Sequence, residues 1–312
     1  MKAIVLFSGG LDSRLVLEIL KRLKINVIPV FFNLPFGTAC SINYAFSFAQ
    51  LKGFKLVVID CTKGRNFKEF LRIVKKPKFG YGSCMNPCID CRIFMLKKAK
   101  KIMKKEKADF IATGEVLGER PMSQRKNILF LVEKEAGLKG RLLRPLSAKL
   151  LPETIMEKKG LIDRDKLYDI KGRSRKKQIE LARKFKIKYP SPAGGCLLTD
   201  ENFCRKLKDL FEHKRIIKPE DIELLKIGRH FRIGKDKIVV GRNEEENKKL
   251  EKFKGIKLEP VGFPGPTVLL QGKNVNKAAK ILVRYSKFKE GYVIYDNKKI
   301  KVREIKADKY KI

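Results

Sequence analysis

Two histidines in 312 residues leave little material for imidazole-based metal binding or acid–base chemistry, and tryptophan is absent altogether. Acidic residues are scarce as well, 34 against 73 lysines and arginines, for a formal charge of +39. A surplus of that size repels itself in a compact state unless a polyanion offsets it, which points to nucleic acid first and an anionic membrane surface second. A lysine-rich surface also suits a heat-loving organism, but ion-pair networks need matching acids, and those are lacking. No segment approaches the roughly 20 apolar residues that span a bilayer, and the N-terminus has neither the basic start nor the cleavage site of a signal peptide. A cytoplasmic protein without a membrane partner is expected. Seven cysteines is an odd number that does not suit a disulfide framework, and in the cytoplasm they stay reduced.

What is present divides along the chain. With 43% hydrophobic residues, the length allows about two domains with real cores. Apolar runs at 3–7, 27–32, 55–59, 109–113 and 142–146 read as strands, and 13–23, 42–51, 67–74 and 88–103 carry helical spacing between them. Such alternation predicts an α/β fold built on a doubly wound parallel sheet, with ligands at the carboxyl ends of the strands. Residues 174–185 and 202–213 read as further helices. After Pro219 the pattern changes to shorter strands at 231–233, 238–240, 267–270, 291–294 and 300–302, with one helix at 276–284. We therefore expect a catalytic domain over 1–214 and a smaller α+β domain over 215–312.

The first strand runs straight into Ser8-Gly9-Gly10-Leu11-Asp12-Ser13. Two glycines allow a tight turn that presents backbone N–H groups, and Ser13 opens a helix whose positive dipole end faces the same spot, so phosphate is the expected guest. No lysine follows the glycines, which separates this loop from the GxxxxGK[ST] type. At all six positions it resembles the pyrophosphatase loop of the PP-loop ATPases, which split ATP between the α and β phosphates and use AMP to activate a carbonyl oxygen. By that resemblance Ser8, Gly9, Gly10, Asp12 and Ser13 bind ATP. Asp12 either orients Mg²⁺ and the loop or caps the helix beside it.

Cys84-Met-Asn-Pro-Cys88-Ile-Asp-Cys91 packs three thiols into eight residues, with Pro87 expected to keep the segment out of a regular helix. With the later Cys196, three chemistries are open. Four thiolates could hold a structural zinc; three could hold a [4Fe-4S] cluster with one iron free for a small ligand; or a metal-free pair could form and resolve a persulfide. C-x3-C-x2-C is also the radical SAM spacing, but the nucleotide loop and the lack of eight strand–helix units disfavour that family. Cys40, Cys61 and Cys204 lie in apolar or amphipathic surroundings and read as packing residues.

Asn86-Pro87-Cys88 with Gly194-Gly195-Cys196 resembles the paired active-site cysteines of the tRNA 2-thiouridine synthases of the PP-loop superfamily. Cys88, Cys91 and Cys196 are similar to the three cluster ligands of their cluster-dependent relatives. Ala112-Thr113-Gly114-Glu115-Val116-Leu117-Gly118, followed by Ser123-Gln124, resembles the nucleotide-contacting stretch of the tRNA 4-thiouridine synthases, in which Gly114 and Gln124 would touch ATP and Arg92 would match a nearby basic residue. The resemblance covers about residues 1–214. Beyond it, Gly228-Arg229-His230-Phe231 and Val239-Val240-Gly241-Arg242-Asn243 look like the RNA-binding domain of the NFACT group.

What the resemblance implies is ATP-dependent thiolation of a tRNA uridine. The carbonyl oxygen attacks the α-phosphate, pyrophosphate leaves into the loop with Mg²⁺ offsetting its charge, and sulfur arrives in a site shielded from water. Either a cluster on Cys88, Cys91 and Cys196 delivers hydrosulfide, or Cys196 carries a persulfide that Cys88 resolves. Expected partners are tRNA and a sulfur donor, sulfide or a persulfide carrier protein, with a homodimer allowed. Rivals are another PP-loop ligase, such as a tRNA lysidine synthase, and a non-enzymatic RNA-binding protein with a structural zinc. The run from Lys171 to Lys177 could track a phosphate backbone or be a solvated helix face. Arg229-His230-Phe231-Arg232 could stack on RNA or supply a core phenylalanine between solvated arginines.

Overall fold

The apolar run after Met1 forms β1 (Lys2–Leu6), the middle strand of a five-stranded sheet. The computed structural model describes residues 1–37, 42–191 and 195–312 and divides into two units, Met1–Thr199 and Asp200–Ile312. In the first unit β1 is joined by β2 (Asn26–Asn33), β3 (Val57–Asp60), β4 (Phe110–Thr113) and β5 (Leu142–Leu143), all parallel, in the order β3-β2-β1-β4-β5. Around them run α1 (Leu11–Arg22), α2 (Ile42–Leu51), α3 (Gly64–Lys75), α4 (Cys88–Lys105), α5 (Lys126–Ala136), the single turn α6 (Ile155–Lys158) and α7 (Lys176–Lys184).

Alternate residues of β1 serve opposite faces, as the two-residue period of a strand requires. Ala3 and Val5 join Leu15 and Val16 of α1, Phe48 of α2 and Ala182 of α7 in one core. Ile4 and Leu6 join Ile93, Leu96 and Ala99 of α4 and Val132 of α5 in another. With both faces covered, the strand is apolar at every position from Ala3 to Leu6. The chain winds outward from β1 to β2 and β3, then crosses back to β4, so the switch in strand order falls between β1 and β4, where ligands of such sheets bind.

The second unit is an α+β domain with α8 (Glu201–His213), α9 (Pro219–Leu225), β6 (Arg229–Ile233), β7 (Asp236–Val240), α10 (Glu244–Leu250), β8 (Ile256–Val261), β9 (Val268–Gln271), α11 (Val275–Arg284), β10 (Glu290–Tyr295) and β11 (Lys298–Arg303). Its six strands pair antiparallel in the order β11-β10-β8-β9-β7-β6. One face carries Ile238, Val240, Leu258, Val268, Leu270, Val293 and Val302 and is packed by α11. On the other, Val239 and Leu269 are covered by Leu224 of α9 and Leu250 of α10.

Helix α8 belongs to this unit rather than to the domain ending at 214. The Asp209 carboxylate accepts hydrogen bonds from Arg232 at 2.7 Å and Lys237 at 2.9 Å, while Lys206 donates to the carbonyls of Leu225 and Gly228 at 3.2 Å. These ties hold the helix to β6, β7 and the end of α9. The stretch 229–232 takes its core reading: Phe231 is fully buried, and His230 is buried with Nε2 on the Ile227 carbonyl at 2.8 Å. Among the described residues, no helix is long and apolar enough to cross a membrane.

Candidate functional site

The loop after β1 turns at Gly9, whose φ of +79° lies in the left-handed region, and Gly10 caps α1 with no side-chain bond. That leaves the helix N-terminus open to an external acceptor. The loop is fixed from within: Ser13 Oγ donates to the Gly10 carbonyl at 3.0 Å, the Ser8 N–H donates to Ser13 Oγ at 3.3 Å, and the Gly10 N–H donates to Ser8 Oγ at 3.3 Å. Buried Arg14 braces it from behind. Its Nε donates to the Gly9 carbonyl at 2.7 Å, its other nitrogens reach the carbonyls of Lys188 at 2.5 Å and Tyr44 at 3.4 Å, and its guanidinium lies over the Phe48 ring at 4.4 Å.

Asp12 does not cap α1. Its Oδ1 is buried with no hydrogen-bond partner among the described residues, and burial raises the carboxyl above its ordinary range against the opposing charges of Arg175 and Arg120. An unpaired buried acceptor is costly, and the usual reason to keep one is an ion or ligand.

The groups around Asp12 come from two distant segments. Leu117 bridges Lys171, and the Gly172 N–H donates to the Leu117 carbonyl at 2.8 Å, which lays the start of α7 beside the turn at 117–124. Gln178 of α7 is fully buried and faces Asp12, where its amide helps hold the carboxyl down, and the buried Nε of Arg175 has no hydrogen-bond partner among the described residues. Glu119, half-buried near Asp12, is pushed up to about 7 by desolvation and the charge of Asp12, with Arg120 and Arg175 opposing. Glu119, Arg120, Arg175 and Gln178 were not singled out as site residues from the sequence, since no motif joins positions more than fifty residues apart. The basic run 171–177 therefore splits: Arg175 turns toward the loop, while Lys177 pairs with Asp169 at 3.1 Å in the open.

Gly114, at the end of β4, lies directly against the loop. A Cβ there would stand 2.9 Å from both the Asp12 carbonyl carbon and the Ser13 nitrogen, so the position is restricted to glycine by backbone approach. Glu115 beside it is buried and accepts from Thr113 Oγ1 and Arg144 Nε, each at 3.0 Å, and it forms an ion pair with Arg92 at 3.1 Å. Those two arginines hold its carboxyl below the usual range despite burial. Arg92 is thus engaged with Glu115. Gln124 is buried too; its Oε1 accepts the Arg120 N–H at 3.1 Å and its carbonyl accepts the Gly118 N–H at 2.8 Å, which closes the 118–124 turn.

The late thiol reaches the early ones through the backbone. Gly37 and Cys196 form an antiparallel bridge, the Leu197 N–H donates to the Phe36 carbonyl at 2.9 Å, and the Met85 N–H donates to the Leu198 carbonyl at 3.0 Å. Cys196 then lies near enough to Cys88 and Cys91 that charge on Cys88 raises the pKa of Cys196, and charge on Cys88 and Cys196 raises that of Cys91. Burial pushes Cys91 up to about 12, opposed by Arg92, and also raises Cys196, where the Leu198 N–H works the other way. Asn86 Nδ2 lies 3.1 Å from Cys88 Sγ. Cys61 and Cys204 are buried, in line with packing roles, whereas Cys40 and Gly194 lie outside the described residues.

The cysteine segment differs from the expected loop in one respect. Pro87 sits at the N-cap and α4 begins at Cys88, so Cys88 and Cys91 share a helical first turn instead of wrapping an ion. Among the described residues, no group of three or more His, Cys, Asp or Glu side chains is arranged to hold a metal ion. Cys88, Cys91 and Cys196 come together without the arrangement of a cluster or zinc site among the described residues.

Residues 228–311 match the family of the NFACT protein RNA binding domain. A probable tRNA sulfurtransferase of Methanosarcina mazei is 30% identical over 124 residues, 38% of this chain and 29% of that protein. Its counterpart in Methanosarcina acetivorans is 29% identical over 124 residues, 37% and 28% of the two chains. This chain thus spans less than a third of the curated relatives it matches. Among solved structures, a predicted subunit of tRNA methyltransferase from Methanocaldococcus jannaschii has a TM-score of 0.32 at 26% identity, covering 46% of this chain and 69% of that one. A 4-thiouridine synthetase in complex with RNA and ATP has a TM-score of 0.38 at 20% identity, covering 60% and 51%. The chain joins a PP-loop-type, tRNA sulfurtransferase-like N-terminal domain to a C-terminal domain of the NFACT RNA-binding kind.

Proposed function

We propose that this protein is an ATP-dependent tRNA uridine sulfurtransferase that carries sulfur as a cysteine persulfide. The observation that carries the reading is the arrival of Cys196 beside Cys88 and Cys91, in the same unit as the open glycine loop.

A uracil carbonyl oxygen attacks the α-phosphorus of ATP and expels pyrophosphate. The N–H groups at Gly9 and Ser13, and that of Gly10 once it turns from Ser8 Oγ, receive the departing phosphates, with Arg120 and Arg175 adding charge at the same end of α1. The unpaired Oδ1 of Asp12 would hold Mg²⁺, which when bound offsets the phosphate charge.

Sulfur transfer follows on the adenylated base. Cys196, charged by the donor to Cys–S–SH, attacks the activated ring carbon through its outer sulfur; AMP leaves and the base is joined to Cys196 by a disulfide. Cys88 opens α4, at the positive end of the helix dipole. Its sulfur attacks that of Cys196, a Cys88–Cys196 disulfide forms, and the thiocarbonyl base departs. The transferred sulfur gains two electrons and the cysteine pair loses two, so an external thiol must reduce the pair before the next cycle. Cys91 stays a thiol throughout.

The test incubates the anaerobically purified full chain with ATP, Mg²⁺, a persulfide donor and unmodified tRNA, followed by mass spectrometry of the digested nucleosides. Thiouridine is expected from the wild type. Cys196→Ser and Cys88→Ser should lose it while keeping RNA-dependent pyrophosphate release. A lysine-bearing nucleoside, or undiminished thiouridine in both variants, would overturn the reading.

A further inference from the structure

The six-stranded sheet of the second unit is covered on its outer face over only half its width. Over β7 and β9 that face is closed by Leu224 and Leu250. Over β10 and β11 no described helix packs on it, although the strands keep the same alternation: Val293 and Val302 turn into the α11 core, so Tyr292, Ile294, Lys299, Lys301 and Arg303 turn outward.

Two large apolar side chains therefore stand where the covered half of the sheet has buried ones. Tyr292 is 45% exposed and Ile294 is 37% exposed. The register sets Lys301 opposite Tyr292 and Lys299 opposite Ile294, and Lys299 Nζ lies 4.4 Å from the centre of the Tyr292 ring. Two acids answer part of this charge: Glu290, 3.6 Å from Lys301 with both side chains well exposed, and exposed Glu259, opposite Ile294 on β8. The strands are held rigid by an Asp296–Asn297 turn with φ of 43° and 61°, the two positive values of a tight hairpin.

We propose that this open half-face is where the protein holds unpaired nucleotides of its RNA. A base stacks on Tyr292, Ile294 extends the apolar platform, and Lys299, Lys301 and Arg303 meet the flanking phosphates. A flat aromatic in a cationic strand pair offers what single-stranded RNA needs: every base has a π-face, and phosphates supply the counter-charge. The surface is distinct from the arginine-flanked stretch at 229–232, whose aromatic is buried. This assignment names the contact face for the RNA substrate of the proposed activity and rests on that reading only for the identity of the RNA.

The test measures binding of unmodified tRNA to the full chain across a salt series. Tyr292→Ala should weaken binding about tenfold, and Tyr292→Phe should restore it, because stacking needs the ring and not the hydroxyl. The double variant K299A/K301A should weaken binding and flatten the salt dependence by about 0.7 for each lost phosphate contact on a single strand. All three sites are exposed, so melting temperatures should match the wild type. Affinity and salt slope unchanged in Tyr292→Ala and K299A/K301A would overturn the proposal. So would a variant that binds tRNA normally but halves the mass in solution, which would make the face an interface between two copies. The outcome is separable from the sulfurtransferase reading: a wild type that makes no thiouridine, yet binds RNA through Tyr292, sinks that reading and leaves this one standing.

Discussion

Gly114 and Asp12 meet backbone to backbone: a Cβ on the glycine would come within 2.9 Å of the Asp12 carbonyl carbon. The end of β4 thereby sets the height of the glycine loop. Gly114→Ala should push the loop off its place and reduce RNA-dependent pyrophosphate release by about a hundredfold, the order of loss that an ångström of misplacement produces. Overpacking should also lower stability by about 1–3 kcal/mol, read by thermal melting. Wild-type pyrophosphate release in this variant would contradict the placement.

Glu119 gives the first unit a pH signature. Its pKa is raised from 4.5 to about 7 by burial and by the charge of Asp12. Between these values the folded protein keeps a proton that the unfolded chain has released. The contribution of this group is therefore full below the lower value and is lost as pH rises through the upper one. Glu119→Gln should flatten the melting temperature between about pH 4.5 and 7 and make the unliganded protein more stable than wild type above that window. Asp12→Asn should move the Glu119 titration downward, followed by carboxyl carbon NMR. An unmoved titration would separate the two groups.

Cys91 distinguishes the two sulfur chemistries. In the persulfide route its thiol, pushed up to about 12, takes no part. Cys91→Ala should therefore keep most of the thiolation rate and lower stability by about 1 kcal/mol. Complete loss of thiouridine, with the fold intact by circular dichroism, would favour a three-cysteine ligand set.

His230 makes the opposite pH statement in the second unit. It is almost wholly buried, and burial with Lys237 and Lys206 nearby holds its pKa well below 6.5. The unfolded chain takes a proton that the folded one refuses, so stability falls as pH drops below about 6.5, by at most about 1.4 kcal/mol for each pH unit. His230→Leu should remove that slope. It should also lose the bond to the Ile227 carbonyl, an unsatisfied buried acceptor that lowers stability by about 1–3 kcal/mol at neutral pH.

The parallel sheet was legible because a strand covered on both faces is written as an uninterrupted apolar run, as in Ala3–Phe7. The antiparallel half was partly legible for the complementary reason. β8 escaped notice: it is half exposed, and Pro260 reads as a strand breaker although it sits inside the strand. Helix α10, with Glu244, Glu245 and Glu246 in its first turn, buries little besides Leu250 and shows almost no apolar period. At the site, contiguous residues such as Ser8–Ser13 could be read as a motif. Glu119 and Arg175 could not, since they meet only because Leu117 bridges Lys171. The cysteines were legible as a group but not in geometry, because a proline before Cys88 can as well start a helix as prevent one.

Arg14 ties the Gly9 carbonyl to those of Tyr44 and Lys188 with one guanidinium. Three strands of chain that are far apart in sequence share a single fastening, so none of them can loosen alone. Amide protons of the three stretches should exchange with deuterium as one block, at a common rate set by release of that side chain, and the entry of a nucleotide at the loop should slow all three together.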